Sequence, residues 1–206
     1  MTRLQRGGLC APIFALVLCI LVPSGYAEYT TGKQTEQATT EPPAQAQLCI
    51  GCHGGPNSVP SDPLAPILAG QEFYYLYVQL KDYKAGRRAN PVMSGIVDAL
   101  NKEDMQALAQ YFSEQEWPTT GYRTPAEYET QAARSLAAGL CVQCHLGGYE
   151  GTSRTPRLAG QKVSYLERTM REFKKRARLN SPAKVSLLAT YDDADIAAMA
   201  HYLGGL

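Results

Sequence analysis

Two copies of one five-residue pattern, CIGCH at Cys49–His53 and CVQCH at Cys141–His145, constrain this chain more than any other feature. C-x-x-C-H is the attachment signature of c-type haem. The spacing has a chemical reason. Two thiols three residues apart share one helical turn, so both reach the vinyl groups along one haem edge and form thioethers. The histidine that follows then falls beneath the iron and offers its imidazole. Cys49, Cys52, Cys141 and Cys144 are therefore candidate attachment sites, and His53 and His145 candidate iron ligands. The expected cofactors are two covalently bound haem c groups. Zinc could use two C-x-x-C pairs, but it has no need of a histidine directly after each. A thioredoxin-like redox pair needs one motif, not two.

The other cysteines, Cys10 and Cys19, lie in an N-terminal segment with the marks of an export signal. Arg3 and Arg6 precede an apolar run from Leu9 to Val22, and Gly25 and Ala27 supply the small residues that signal peptidase requires. The run is short for a membrane span, and Leu18 before Cys19 is not the small residue a lipid-attachment site usually has. A signal over 1–27, cleaved after Ala27, is expected; a retained anchor helix is the alternative. The expected location is the bacterial periplasm, with no stable membrane span in the mature chain. Cleavage leaves 18 basic and 19 acidic residues, a net charge of −1. Such a balance gives no general reason to expect nucleic-acid binding.

The chain also repeats itself. Pro-x-Leu-Ala-Gly-Gln occurs at Pro66–Gln71 and at Pro156–Gln161. NKEDMQALAQYF (Asn101–Phe112) pairs with DDADIAAMAHYL (Asp192–Leu203). The offsets are 92 at the cysteines, 90 at the LAGQ segments and 91 at the last helix, so small loop changes within a duplication account for them. Asn101 and Asp192 are good N-caps, each with Asp three residues later. Met105, Leu108, Ala109 and Phe112 recur at helical spacing, as do Ile196, Met199, Ala200 and Leu203. Strand patterns are absent, and an all-α fold is expected. Residues 28–46 read as a flexible lead-in, 47–113 as a first domain, 114–125 as a linker and 126–206 as a second domain. Domains this small bury little core alone, and a haem would supply the missing apolar volume.

At these residues the chain resembles the dihaem cytochrome c4 family. The resemblance rests on the two C-x-x-C-H motifs, the two P-x-LAGQ segments and the N-P-x-M segment at Asn90–Met93. It implies tandem class I cytochrome c domains facing each other about a pseudo-twofold axis, in a periplasmic electron carrier. It also implies that Pro66 and Pro156 offer carbonyls to the second ring nitrogen of His53 and His145, raising ligand basicity. Met93 would be the distal ligand of the first haem, a soft thioether that favours Fe(II). Similar modules serve as haem subunits of sulfur-oxidising dehydrogenases. Two departures from the family pattern stand out. Leu146 replaces the usual glycine after the second motif, and no methionine occupies the second distal position.

Counted back from the last helix, Met93 falls on Lys184, and Pro91 on Pro182. Neutral lysine amine is a hard donor that would lower the second haem's potential, and it binds only when deprotonated. Other readings stay open. Lys184 could point to solvent and leave an open iron. Met170 or Met199 could supply a thioether, although both sit at core spacing. His201 could bind instead, although a surface position suits it better. With lysine ligation, electrons would enter at the second haem and leave through the first. Tyr75 and Tyr165 match across the repeat and are the aromatics expected to wall the haems.

The halves differ in charge, −3 over Leu48–Trp117 and +4 over Leu136–Leu206. Lys174, Lys175, Arg176 and Arg178 carry part of that excess and could form a basic docking face; a solvated helix face is the plainer reading. The expected function is single-electron transfer between redox partners, from a dehydrogenase donor to an oxidase or another cytochrome, without catalysis of its own. The alternative is a dedicated electron-accepting subunit of a thiosulfate or sulfide dehydrogenase. A haem enzyme with an open second site is the third reading; no spare cysteine or distal acid–base pair supports it.

Overall fold

The computed structural model describes residues 41–206, and every regular element among them is an α-helix. The expected signal at 1–27, and the lead-in up to residue 40, lie outside the described residues. Ala46, placed at the end of that lead-in, is the first residue of α1 (Ala46–His53) and is 0% exposed.

The first half continues with α2 (Phe73–Lys84), α3 (Pro91–Asp98) and α4 (Lys102–Ser113). The second half holds α5 (Ala126–Ala138), α6 (Val142–His145), α7 (Val163–Lys174), α8 (Pro182–Leu188) and α9 (Asp193–Gly204). The caps form as the sequence implies. Asn101 accepts from Asp104 N–H while Asp104 accepts from Asn101 N–H; Asp192 and Asp195 do the same for α9. Each reciprocal pair satisfies donors that a helix start leaves open. The two segments that carry Met93 and Lys184 are short helices, α3 and α8, each with proline at its first turn.

Packing follows the repeat. In the first half α2 lies on α3 and α4; in the second, α7 lies on α8 and α9, and α5 on α9. Two apolar clusters result, one built on Met105, Leu108, Ala109 and Phe112, the other on Ile196, Met199, Ala200 and Leu203. The faces read from periodicity are the buried faces. No helix among the described residues is long and apolar enough to cross a membrane.

The LAGQ turns tie each half to its last helix. Gly70 N–H donates to Phe112 O and Gly160 N–H to Leu203 O, both at 2.8 Å. Both glycines are left-handed, at φ 68° and 70°, a region that costs a side-chain-bearing residue energy. Trp117, from the connecting segment, lies against both turns. A Cβ on Gly70 would come within 2.9 Å of the Trp117 nitrogen, and one on Gly160 within 3.0 Å of its Nε1. The connection is thus packed along the molecule. Tyr122 hydrogen-bonds His201, and Thr124 Oγ1 donates to the His201 carbonyl at 3.1 Å.

Candidate haem-binding site

A cavity runs through both halves, lined by Cys49, Cys52 and His53 on one side of the repeat and by Cys141 and His145 on the other. Local helix geometry presents these groups. Each motif ends a short helix, α1 or α6, so the cysteines and the histidine share successive turns. None of the four cysteines is in a disulfide. Among the described residues no three His, Cys, Asp or Glu side chains converge into a metal cage.

Both histidines are held alike. His53 Nδ1–H donates to the Pro66 carbonyl at 2.9 Å, and His145 Nδ1–H to the Pro156 carbonyl at 2.9 Å. That bond assigns the proton to Nδ1 and leaves Nε2 with its lone pair free. Burial disfavours the imidazolium in each case. It lowers the His53 pKa, against the Pro66 bond, and brings His145 to about 4, with the nearby Lys184 charge adding to the effect. Neutral imidazole is the form that ligates metal.

Met93 and Lys184 both line the cavity, from α3 and α8. Asn90 Oδ1 accepts from Met93 N–H at 3.0 Å and sets the start of α3. Ser181 makes no such side-chain cap on α8. The Lys184 Nζ lies 5.7 Å from the centre of the Phe173 ring. Burial, then the adjacent Arg178 charge, bring its pKa down to about 8. Lys184 therefore faces the cavity and not open solvent. Met170 and Met199 also line it. His201 does not; its ring stacks on Tyr128 with centroids 4.0 Å apart and bonds Tyr122.

Tyr75 and Tyr165 line the cavity where the halves meet. Arg88 and Arg178, which also occupy matching repeat positions, join them. Arg88 Nη2 donates to Tyr165 Oη at 3.1 Å, and both guanidiniums donate to Gln79 Oε1, at 2.9 and 2.8 Å. Burial pushes the Tyr165 phenol up, but Arg88 and Arg178 beside it together outweigh that and bring it down. Of the other tyrosines in α2, Tyr74 is exposed, beneath the Arg154 guanidinium, and is not core.

Arg178 was expected on an exposed basic face, and that expectation is corrected. It is only 3% exposed, because its guanidinium lies over Phe173 and turns inward to Gln79 and Asn180. Lys174 is bound to Asp193 at 2.8 Å, and Arg171 pairs with Asp193 and Glu167. Lys175 and Arg176 remain as the exposed basic residues of the run.

The residues fit haem. Arg88 and Arg178 are 6% and 3% exposed, no salt bridge to a carboxylate reaches either among the described residues, and Arg178 Nη1 has no hydrogen-bond partner. Buried charge without a partner costs several kcal/mol, of order ~3–5. A group that brings anionic carboxylates to an apolar cavity removes that cost. Sequence reasoning missed Arg88 and assigned Arg178 to the docking face, although their matching offset of 90 was a readable signal.

No protein-family model matches the chain. Cytochrome c4 of Azotobacter vinelandii is 33% identical over 182 residues, covering 79% of this chain and 86% of that one. The chain belongs to the cytochrome c4 family. It is an all-α electron-transfer cytochrome, a carrier and not an enzyme, and the family implies covalently bound haem c. A solved cytochrome c4 structure from Acidithiobacillus ferrooxidans superposes with a TM-score of 0.71 at 28% identity, covering 78% of this cytochrome and 99% of that chain. The thiosulfate dehydrogenase electron acceptor of Thiomonas intermedia is 32% identical over 174 residues, covering 78% of this chain and 79% of that one.

Proposed function

We propose that this cytochrome is a periplasmic dihaem carrier that moves single electrons between redox proteins. The observation that carries the reading is the duplicated arrangement in one cavity. Each half offers two thiols on a helical turn, an imidazole held through Nδ1 by a proline carbonyl, and a donor side chain from α3 or α8. The two apolar clusters support a reading as two domains, 47–113 and 126–206 joined by 114–125, with Ala46 packed onto the first.

Cys49, Cys52, His53 and Met93 would hold the first haem, and Cys141, His145 and Lys184, which also line the cavity, would hold the second together with Cys144, which is exposed on α6. When bound, haem takes up and returns one electron per iron. Pro66 and Pro156 orient the two imidazoles. Tyr75 and Tyr165 wall the sites near the interface, and Arg88 and Arg178 supply countercharge for haem carboxylates. Met93 sulfur favours the reduced metal, whereas the Lys184 amine, a harder donor, favours the oxidised one. The halves are then unequal, with the lower potential in the second, which sets a direction from the Lys184 half to the Met93 half.

Export in a host with a haem-attachment system tests this reading. The mature chain should begin at Glu28 and exceed its polypeptide mass by two haems. A chain carrying one haem or none overturns it.

Similarity to thiosulfate dehydrogenase electron acceptors favours a second reading, a dedicated acceptor for a sulfur-compound dehydrogenase. Lys175 and Arg176 offer a small positive surface for such a partner. Stable co-purification with a dehydrogenase supports the dedicated role; its absence, with fast exchange among several donors, supports the free shuttle.

A further inference from the structure

The two LAGQ glutamines do not serve their own halves. Gln161 reaches across to Ile67, where its Oε1 accepts from Ile67 N–H at 2.9 Å and its Nε2 donates to Ile67 O at 3.1 Å. Gln71 makes the mirror pair with Arg157, at 2.8 and 3.1 Å. Both side chains are almost wholly buried, at 4% for Gln71 and 2% for Gln161. A buried amide with both ends satisfied is held firmly, since losing either bond exposes an unpaired polar group.

The position of these bonds matters more than their number. Ile67 N–H belongs to the same peptide group as the Pro66 carbonyl, and that carbonyl holds His53. Arg157 N–H belongs to the peptide of the Pro156 carbonyl, which holds His145. Each histidine thus leads through one peptide to a glutamine of the opposite half. A peptide that donates through its N–H accepts more strongly through its C=O, because linked hydrogen bonds polarise one another. A stronger acceptor on Nδ1–H makes the imidazole a stronger electron donor to a metal.

We infer that Gln161 tunes the iron bound by His53, and Gln71 the iron bound by His145, each across the interface through one shared peptide. The inference rests on the proposed ligation by His53 and His145. The glutamines act as positioning residues and touch no metal. The halves are then coupled without any change of shape, and docking of a partner that shifts the interface alters both potentials together.

The test measures each haem's potential in the holo-protein, with Gln161→Met and Gln71→Met removing the bonds at nearly constant volume. Gln161→Met should raise the potential of the His53 haem more than that of the His145 haem, and Gln71→Met should do the reverse. In the reduced protein the Nδ1–H resonance of the histidine across the interface should move in step. Ser164→Ala, which removes a different bond across the interface, to the Pro63 carbonyl, should move neither potential. Equal shifts in both haems, a shift confined to the variant's own half, or no shift overturns the coupling. If the variants fail to mature, hydrogen exchange on the wild type decides. Ile67 and Arg157 amides must be strongly protected, and free exchange overturns the inference. A wild type with fewer than two haems overturns the site reading and the coupling together; two haems with uncrossed shifts overturn the coupling alone.

Discussion

Leu146, directly after His145, adopts nearly the backbone of Gly54, directly after His53: φ 67° and ψ 173° against φ 78° and ψ 155°. The departure from glycine does not remodel the turn beneath the second site. It forces a branched side chain into a region that only glycine occupies freely, at a cost of roughly 1–3 kcal/mol.

Leu146→Gly should therefore stabilise the holo-protein. Relief of strain less the added chain entropy of glycine leaves a gain of about 1 kcal/mol, read from the denaturant midpoint. Gly54→Ala should do the opposite, because its Cβ would meet Ser58 Oγ at 2.8 Å and the Ser58 carbonyl oxygen at 2.9 Å. A destabilised Leu146→Gly would show that the leucine makes contacts worth more than the strain.

Lys184→Ala should remove one low-spin ferric species from the low-temperature EPR spectrum or convert it to high spin. Lys184→Met should raise the potential of the second haem toward that of the first, as seen by potentiometric titration. An unchanged spectrum in Lys184→Ala would pass the role to Met170 or Met199, which share the cavity lining.

Arg178→Met should lower holo-protein stability by about 3 kcal/mol, the scale for leaving a buried charge unpaired. Lys175→Met, three residues away and exposed, should change it by no more than about 0.5 kcal/mol. Equal effects at both positions would mean that no anionic group relies on Arg178.

Asp195 governs an acid-side prediction. The Ser135 hydroxyl donates to its carboxylate at 2.7 Å, and with Gln131 and the Asp192 backbone it holds the pKa below the usual range. A depressed folded-state pKa contributes stability that is present above the unfolded value, about 4, and is lost as pH falls through the folded value. Unfolding midpoints should fall below about pH 4 in the wild type. Asp195→Asn should flatten that decline; an equally steep one would assign the acid lability to other carboxylates.

Much of the site was legible because its chemistry is local. C-x-x-C-H places thiols and imidazole on one turn whatever surrounds them, and Pro66 and Pro156 reach the histidines across short loops. The capped helices and their apolar stripes were legible for the same reason, since period and cap are properties of a few neighbouring residues. Arg178 was misplaced because a charged residue in a basic run reads as solvated. Only the packing of α7 against the first half shows that its guanidinium turns inward to Gln79. The short helices α3 and α8 were not legible because seven or eight residues beginning at a proline carry too little periodicity to declare a helix.

The sequence by itself determined the duplication, the all-α class, the candidate attachment cysteines and histidines, and the register that sets Lys184 where the first half has Met93, all of which are written within single turns or in the register of the repeat. Tertiary structure alone decided which partners meet across the halves. Gln161 with Ile67, Gln71 with Arg157, and Arg88 with Tyr165 are separated by 94, 86 and 77 positions. No local pattern encodes such pairs. They arise because burying two apolar faces against each other strands polar groups from water, and each must then find its partner on the opposite half.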